Sequence, residues 1–205
     1  MISHRHRCLF THVPKTGGKS VLAAFGLPML GSDYDGSLTY IERPYGHHPL
    51  KEMVETDAFG YFKFAFVRNP WDRLVSAFFY LDAGGCNRFD AEFRSRHLAR
   101  YHGDFGRFVD DLERLIQHQH FRPQADWICG SDGGPLLDFL GRFESIEADF
   151  KHIARRIGLD APRLSRLNES AHATYQSYYD AARRDRVAAL YEADIETFGY
   201  DFDGR

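Results

Sequence analysis

Three apolar runs along the chain mark the framework of the fold. They are RCLFTHV (7–13), YFKFAFV (61–67) and PLLDFLGRF (135–143). The first run stops at Pro14 and the second at Arg68-Asn69-Pro70. Short aromatic- and valine-rich runs that end in turn residues are typical of buried strands, so the first two predict strands.

A helix-like stretch follows each apolar run. Residues 19–25 follow the first run and residues 71–81 (WDRLVSAFFYL) follow the second. The third run precedes residues 144–159, where Ile146, Phe150, Ile153 and Ile157 have helical spacing. Strands that alternate with helices predict an α/β fold with a mainly parallel central sheet flanked by helices.

The other segments give weaker signals. Residues 82–130 are polar and interrupted by glycines, and predict one amphipathic helix over 105–116. The tail, 180–202, predicts a single helix that ends near Gly199, with Val187, Leu190, Tyr191 and Ile195 as its apolar stripe. A chain of 205 residues with 43% hydrophobic and 27% charged residues suits one domain, 1–205.

Charge and cysteine content narrow the classes of function. The net charge of -3 gives no basic excess, so we expect no nucleic-acid partner. No apolar run approaches the roughly 20 residues of a transmembrane helix and no signal peptide is apparent, so we expect a cytoplasmic protein. Cys8, Cys86 and Cys129 are widely spaced, which favours reduced thiols over a disulfide framework or a zinc site.

The first turn resembles a nucleotide-binding loop without matching it. In HVPKTGGKSV (12–21), Gly18-Lys19-Ser20 ends like the ATP loop G-x-x-x-x-G-K-[ST], but Val13 stands where that loop has its first glycine. A strand, a glycine turn and a helix aim backbone N–H groups at an anion, although such a turn is often only structural. We expect residues Thr16, Gly17, Gly18, Lys19 and Ser20 to wrap an anion beside the ammonium group of Lys15.

The second strand end favours an anion over a metal. An ATP enzyme places an Asp at the end of a neighbouring apolar strand to organise Mg²⁺. Here Arg68 follows the strand, and a guanidinium suits a phosphate. Ser76, in the next helix, can add a hydroxyl. The sequence therefore predicts a nucleotide with phosphates at two positions and no metal site.

Together, HVPKTGGKS and FAFVRNPWDRLVSAFFY resemble the carbohydrate-type branch of the sulfotransferase superfamily, which includes heparan 2-O- and chondroitin sulfotransferases and small bacterial relatives. RPQADWI, DFLGRFESIEADF, RLNES and YEADIETFGYDF extend the resemblance over most of the chain. It implies a P-loop-like three-layer fold and 3′-phosphoadenosine 5′-phosphosulfate (PAPS) as co-substrate, with no metal required. The loop would bind the 5′-phosphosulfate, and Arg68 and Ser76 the 3′-phosphate. Lys19 departs from the small or hydroxyl residue common at its position.

The resemblance also implies a histidine base between the loop and Arg68. Alignment of YGHHPLKEM (45–53) on Lys51-Glu52 gives His47, with His48 as fallback and neither as a remaining alternative. Histidine suits proton abstraction because its pKa of about 6.5 lies near working pH. Lys15 would stabilise the charge that builds on the leaving phosphate.

Two further pairs recur in the family but stay outside the predicted catalytic set: Arg142 and Glu144 in GRFES, and Asn168 and Ser170 in LNES. A structural ion pair explains Arg142 and Glu144 equally well.

The predicted function is sulfuryl transfer from PAPS to a carbohydrate, glycolipid or small-molecule acceptor by a bacterial enzyme. The alternatives are a P-loop small-molecule kinase that uses ATP and Mg²⁺, and a non-catalytic relative that binds nucleotide or glycan. The acceptor and the oligomeric state are not encoded in any pattern of the sequence.

Overall fold

The computed structural model describes residues 1–26, 47–53, 60–160, 164 and 174–204. These residues form two compact units. The first contains 1–26, 47–53, 60–68, 124–160 and 164, and the second contains 69–123 and 174–204. The single domain over 1–205 stays a prediction.

The first unit is built on a sheet that, in the described residues, has four strands. In spatial order they are β1 (Ile2–Ser3), β2 (Cys8–Thr11), β3 (Phe62–Val67) and β4 (Phe139–Arg142). The pairs β2–β3 and β3–β4 are parallel, and β1 is antiparallel to β2. The α/β fold with a mainly parallel sheet is therefore confirmed, with one short antiparallel edge strand added.

The α-helices of the described residues are, in chain order, α1 (Gly18–Ala24), α2 (Leu50–Met53), α3 (Pro70–Asp82), α4 (Arg88–Phe93), α5 (Phe105–Asp110), α6 (Ala125–Ile128), α7 (Ile146–Ile157), α8 (Ala181–Leu190) and α9 (Glu192–Phe198). The helices predicted over 19–25, 71–81 and 144–159 correspond to α1, α3 and α7.

Helices cover both faces of the sheet because side chains alternate along each strand. On one face, Phe10 of β2 and Phe64 of β3 pack in a buried cluster with α1 and α7. On the other face, Leu9 packs with Leu50 and Met53 of α2. The first unit thus has the helix–sheet–helix layering that the sequence predicts, and the carboxyl ends of β2, β3 and β4 lie along one edge of the sheet.

The second unit is helical, with α3 at its core. Its buried apolar residues come mainly from α3 and α5, among them Leu74, Phe78 and Phe108, and are joined by Val187 of α8 and by Tyr191, which lies between α8 and α9. Helix α3 begins sharply because Pro70 occupies its first turn and the Asn69 side chain accepts hydrogen bonds from the N–H groups of Trp71 and Asp72.

Three predictions for this part of the chain need correction. The helix expected over 105–116 ends at Asp110 and continues as a 3₁₀ turn, Leu112–Arg114. The single helix expected over 180–202 is divided into α8 and α9 at Tyr191, which leaves helical geometry at ψ 26° and whose buried hydroxyl donates to the Phe121 carbonyl. Residues 82–130 hold more than one helix.

The additional helix α4 is six residues long and begins at a side-chain cap. The Asn87 side chain accepts hydrogen bonds from the N–H groups of Phe89 and Asp90. The Asp90 carboxylate is buried and accepts hydrogen bonds from the Tyr80 hydroxyl at 2.7 Å and from the Cys86 N–H at 3.1 Å. A helix of this length is shorter than the window over which apolar periodicity is read, so the sequence pattern did not detect it.

Candidate functional site

The predicted phosphate loop is a tight turn between β2 and α1. The Thr16 hydroxyl donates to the Val13 carbonyl at 2.9 Å, and the Ser20 N–H donates to the Gly17 carbonyl at 3.0 Å. Gly17 has φ 83°, a left-handed conformation that glycine adopts without a steric cost. Lys15 has φ 68°, which is uncommon for a residue with a side chain. The predicted loop residues therefore share one sharply curved segment.

Glycine is required at position 18 because the His12 ring occupies the space that a side chain would need. A Cβ atom at this position would lie 2.0 Å from Cδ2 and 2.2 Å from Nε2 of His12. The His12 ring is buried and is stacked at 5.8 Å on the ring of Phe10. The second glycine of the loop thus permits the buried histidine before the loop to pack against the start of α1.

Arg68 lies against the same loop. It follows β3, its side chain is buried, and its guanidinium donates to the Lys15 carbonyl at 3.2 Å. The guanidinium carbon lies 4.2 Å from the centre of the Phe143 ring, which follows β4. The structure therefore brings together the two predicted motifs at the loop and at Arg68, at the edge where α/β proteins bind ligands.

The loop region is electropositive. Lys15 and Lys19 are half-buried, and both lower the pKa of His12, as does a positive charge on His47. Burial is the main cause of this low pKa, which lies well below the usual 6.5. His12 is therefore neutral. Its Nδ1 atom is buried and has no hydrogen-bond partner within the described part of the chain.

The predicted base His47 is held beside the loop. Its Nδ1 atom donates to the main-chain carbonyl of His12 at 2.7 Å. The ring centre lies 4.3 Å from that of His12 and 6.2 Å from that of Trp127 in α6. Because a carbonyl only accepts, the neutral ring carries its proton on Nδ1 and Nε2 is its basic nitrogen. His48 is adjacent and half-buried.

Gln124, immediately before α6, was not predicted as a functional residue. Its side-chain oxygen accepts from the Arg68 N–H at 2.9 Å, and its side-chain nitrogen donates to the Arg68 carbonyl at 2.8 Å. The residue is fully buried. Gln124 and Trp127 both lie in the RPQADWI segment. The resemblance of that segment to the family was the one signal in the sequence that could have pointed to these residues.

The sequence of this chain is similar to known proteins of one family. A sulfotransferase family model matches residues 1–201. The chain belongs to the sulfotransferase family. Carbohydrate sulfotransferase 8 of Mus musculus is 29% identical over 97% of this chain and 55% of its own length. The Homo sapiens protein of the same name is 29% identical over 97% of this chain and 54% of its own. Carbohydrate sulfotransferase 10 of Xenopus laevis is 23% identical, with coverages of 97% and 66%.

The resemblance to carbohydrate-type sulfotransferases is thereby confirmed. The chain spans about half the length of the carbohydrate sulfotransferase 8 proteins that it matches. No solved structure matches it.

The remaining predicted residues are spread through the chain. Ser76 lies in α3 of the second unit and is 1% exposed, and its phosphate contact stays a prediction. Arg142 ends β4, where its main-chain N–H donates to the Asp149 carboxylate at 2.8 Å, and Glu144 lies in the following 3₁₀ turn. Asn168 and Ser170 lie outside the described residues.

The described residues contain neither a metal-binding group nor a membrane-spanning helix. No group of three or more His, Cys, Asp or Glu side chains there could hold a metal ion. No helix in the same residues is long and apolar enough to cross a membrane. No disulfide joins Cys8, Cys86 and Cys129, all of which lie within the described residues.

Proposed function

We propose that this chain transfers a sulfuryl group from PAPS to a hydroxyl of a carbohydrate-type acceptor. Membership of the sulfotransferase family supports the reaction class, and the names of the carbohydrate sulfotransferase relatives support the acceptor class. The observation that carries the proposal is the position of His47, a histidine with a basic Nε2 beside a cationic loop.

The loop chemistry fits an anionic donor. Lys15, Lys19 and Arg68 supply positive charge, and Gly17 and Gly18 let the backbone turn closely. PAPS supplies a sulfuryl group whose bond to the 5′-phosphate oxygen breaks during transfer. In this proposal Lys15 and the Ser20 hydroxyl stabilise the negative charge that develops on that oxygen.

The acceptor hydroxyl needs a base because an alcohol is a poor nucleophile before its proton is removed. The acceptor oxygen forms the new S–O bond while its proton passes to His47 Nε2. The hydrogen bond from Nδ1 to the His12 carbonyl supports this assignment, because it favours the tautomer with a basic Nε2 and stabilises the imidazolium that forms. The predicted bacterial origin and cytoplasmic location stay predictions.

The experiment compares two adjacent histidines. His47→Ala should lower turnover of PAPS with an oligosaccharide acceptor by about 10²–10⁴-fold and change the affinity for adenosine 3′,5′-bisphosphate by less than about twofold. His48→Ala is the matched control and should retain turnover. The reverse pattern would transfer the role of the base to His48.

Nucleotide binding tests the reaction class separately. Calorimetry in EDTA should show binding of adenosine 3′,5′-bisphosphate, the product of the reaction. If the chain binds only ADP with Mg²⁺, the loop is an ATP loop and the proposal fails. If the chain binds neither nucleotide, a non-catalytic relative is favoured.

A further inference from the structure

The contact between Gln124 and Arg68 suggests a role beyond packing. Strand β3 ends at Val67, so the N–H and carbonyl groups of Arg68 lie just beyond the paired part of the sheet. Both groups are hydrogen-bonded to the one carboxamide of Gln124. The Gln124 side chain therefore pairs with the backbone of Arg68, the predicted phosphate ligand, much as a neighbouring strand would.

This pairing is restrictive because it is buried. A buried amide that lacks its hydrogen-bond partners is strongly unfavourable, so both hydrogen bonds oppose any rotation of the Arg68 backbone. Gln124 itself is anchored by α6, in which Ala125, Trp127 and Ile128 are buried. The direction in which the Arg68 side chain leaves the strand is thus fixed by a rigid neighbour.

The far end of Arg68 is also supported. Its guanidinium donates to the Lys15 carbonyl at 3.2 Å and lies over the Phe143 ring. These contacts limit the side chain only if its main chain is correctly oriented, because a small backbone rotation moves the end of an arginine by several times more than its Cα atom.

We propose that Gln124 is a positioning residue for Arg68, and that it thereby sets the affinity of the site for the 3′-phosphate of the nucleotide. This inference rests on the proposed function, in which Arg68 binds that phosphate. Gln124 touches no part of the nucleotide in this assignment and acts only through the backbone of Arg68.

The test compares adenosine 3′,5′-bisphosphate with AMP, which lacks the 3′-phosphate. Gln124→Met keeps the length of the side chain but removes both hydrogen bonds. It should weaken binding of the bisphosphate by about tenfold, the effect of about one lost hydrogen bond, and leave AMP affinity within about twofold. Gln117→Met is the matched control, because it makes the same substitution at an exposed residue. The readout is the Kd for AMP divided by the Kd for the bisphosphate. A general loss of packing would change both Kd values and leave this ratio unchanged.

A second variant covers the case in which Gln124→Met does not fold. In Gln124→Glu the protonated carboxyl retains one acceptor and one donor, whereas the carboxylate cannot donate to the Arg68 carbonyl. Because burial raises the pKa of a carboxyl, the ratio of the AMP Kd to the bisphosphate Kd should lie below that of the wild type at about pH 8 and approach it as the pH is lowered to about 5.5, with the wild type measured at each pH.

The outcomes separate the two proposals. If Arg68→Ala abolishes the preference for the bisphosphate and both Gln124 variants retain it, the positioning role is overturned and the proposed function survives. If the wild type binds both nucleotides equally, the 3′-phosphate assignment of Arg68 fails, and the role of Gln124 fails with it. If the Gln124 variants lose the preference and Gln117→Met keeps it, the inference is supported.

Discussion

Replacing Gly18 with alanine tests the packing between the loop and the buried histidine. Gly18 has an ordinary φ and opens helix α1, so a rule based on helix propensity predicts a stabilisation of roughly 0.5–1 kcal/mol. The structure predicts the opposite. The new Cβ atom would lie 2.0 Å from Cδ2 of His12, about 1.5 Å inside the normal separation of about 3.5 Å.

The ring of His12 has little room to yield. It is 8% exposed, it stacks on Phe10, and its centre lies 4.3 Å from that of the His47 ring. Overpacking of a buried position costs about 1–3 kcal/mol. After the gain in helix propensity is subtracted, Gly18→Ala should lower the free energy of unfolding by about 1 kcal/mol and by at most about 2.5 kcal/mol, which corresponds to a fall in Tm of up to about 10 °C for a chain of this size.

Urea denaturation of a two-by-two set of variants measures this effect. Gly60→Ala is the control, because a Cβ there meets no atom within 4 Å. His12→Ala removes the clashing ring, so the double variant should be more stable than the sum of the two single effects predicts, with a coupling of about 0.5–3 kcal/mol. If Gly18→Ala is as stable as the wild type, or if the two effects are additive in the double variant, then the His12 ring does not exclude a Cβ atom at position 18.

Three further predictions address charge and backbone strain. Lys15→Gly should leave the free energy of unfolding unchanged or raise it by about 1 kcal/mol, because glycine tolerates φ 68°, and it should lower turnover of PAPS by about 10²-fold through loss of the ammonium. Burial lowers the pKa of His118 to about 4, so the unfolded chain binds this proton first as the pH falls below 6.5. Stability should decrease between about pH 6.5 and 4 by at most about 3 kcal/mol, and His118→Phe, which keeps the stacking on Phe93, should flatten that part of the urea-derived profile. The exposed pair of Arg183 and Asp110 should contribute under about 1 kcal/mol in a double-mutant cycle despite its two-point geometry, and a larger coupling would contradict the effect of solvent screening.

The elements that sequence reasoning located are those whose pattern is local. Strands β2 and β3 lie in apolar-rich runs that are followed by a proline, and α7 has a clear apolar stripe. Strand β1 is two residues long and exists only because β2 offers it a partner, so nothing in Ile2-Ser3 predicts it. The division at Tyr191 likewise depends on a carbonyl 70 residues away.

The same distinction applies to the candidate site. The loop and Arg68 were predicted because their spacing carries the chemistry. The groups that hold His47 and Arg68 were not, since they involve a main-chain carbonyl 35 residues from the first and a glutamine 56 residues from the second. No sequence pattern reports which residues approach each other across such separations.

The hydrogen bond from His47 Nδ1 to the main-chain oxygen of His12 limits which substitutions can remove the partner of this histidine. A side-chain partner for a base can be deleted by one codon change, whereas the oxygen at His12 belongs to the peptide backbone and is present whatever amino acid occupies that position. A substitution at position 12 therefore cannot remove this carbonyl oxygen. It can only move the oxygen, by changing the path of the backbone between β2 and the loop. The peptide backbone therefore fixes the tautomer of the His47 ring.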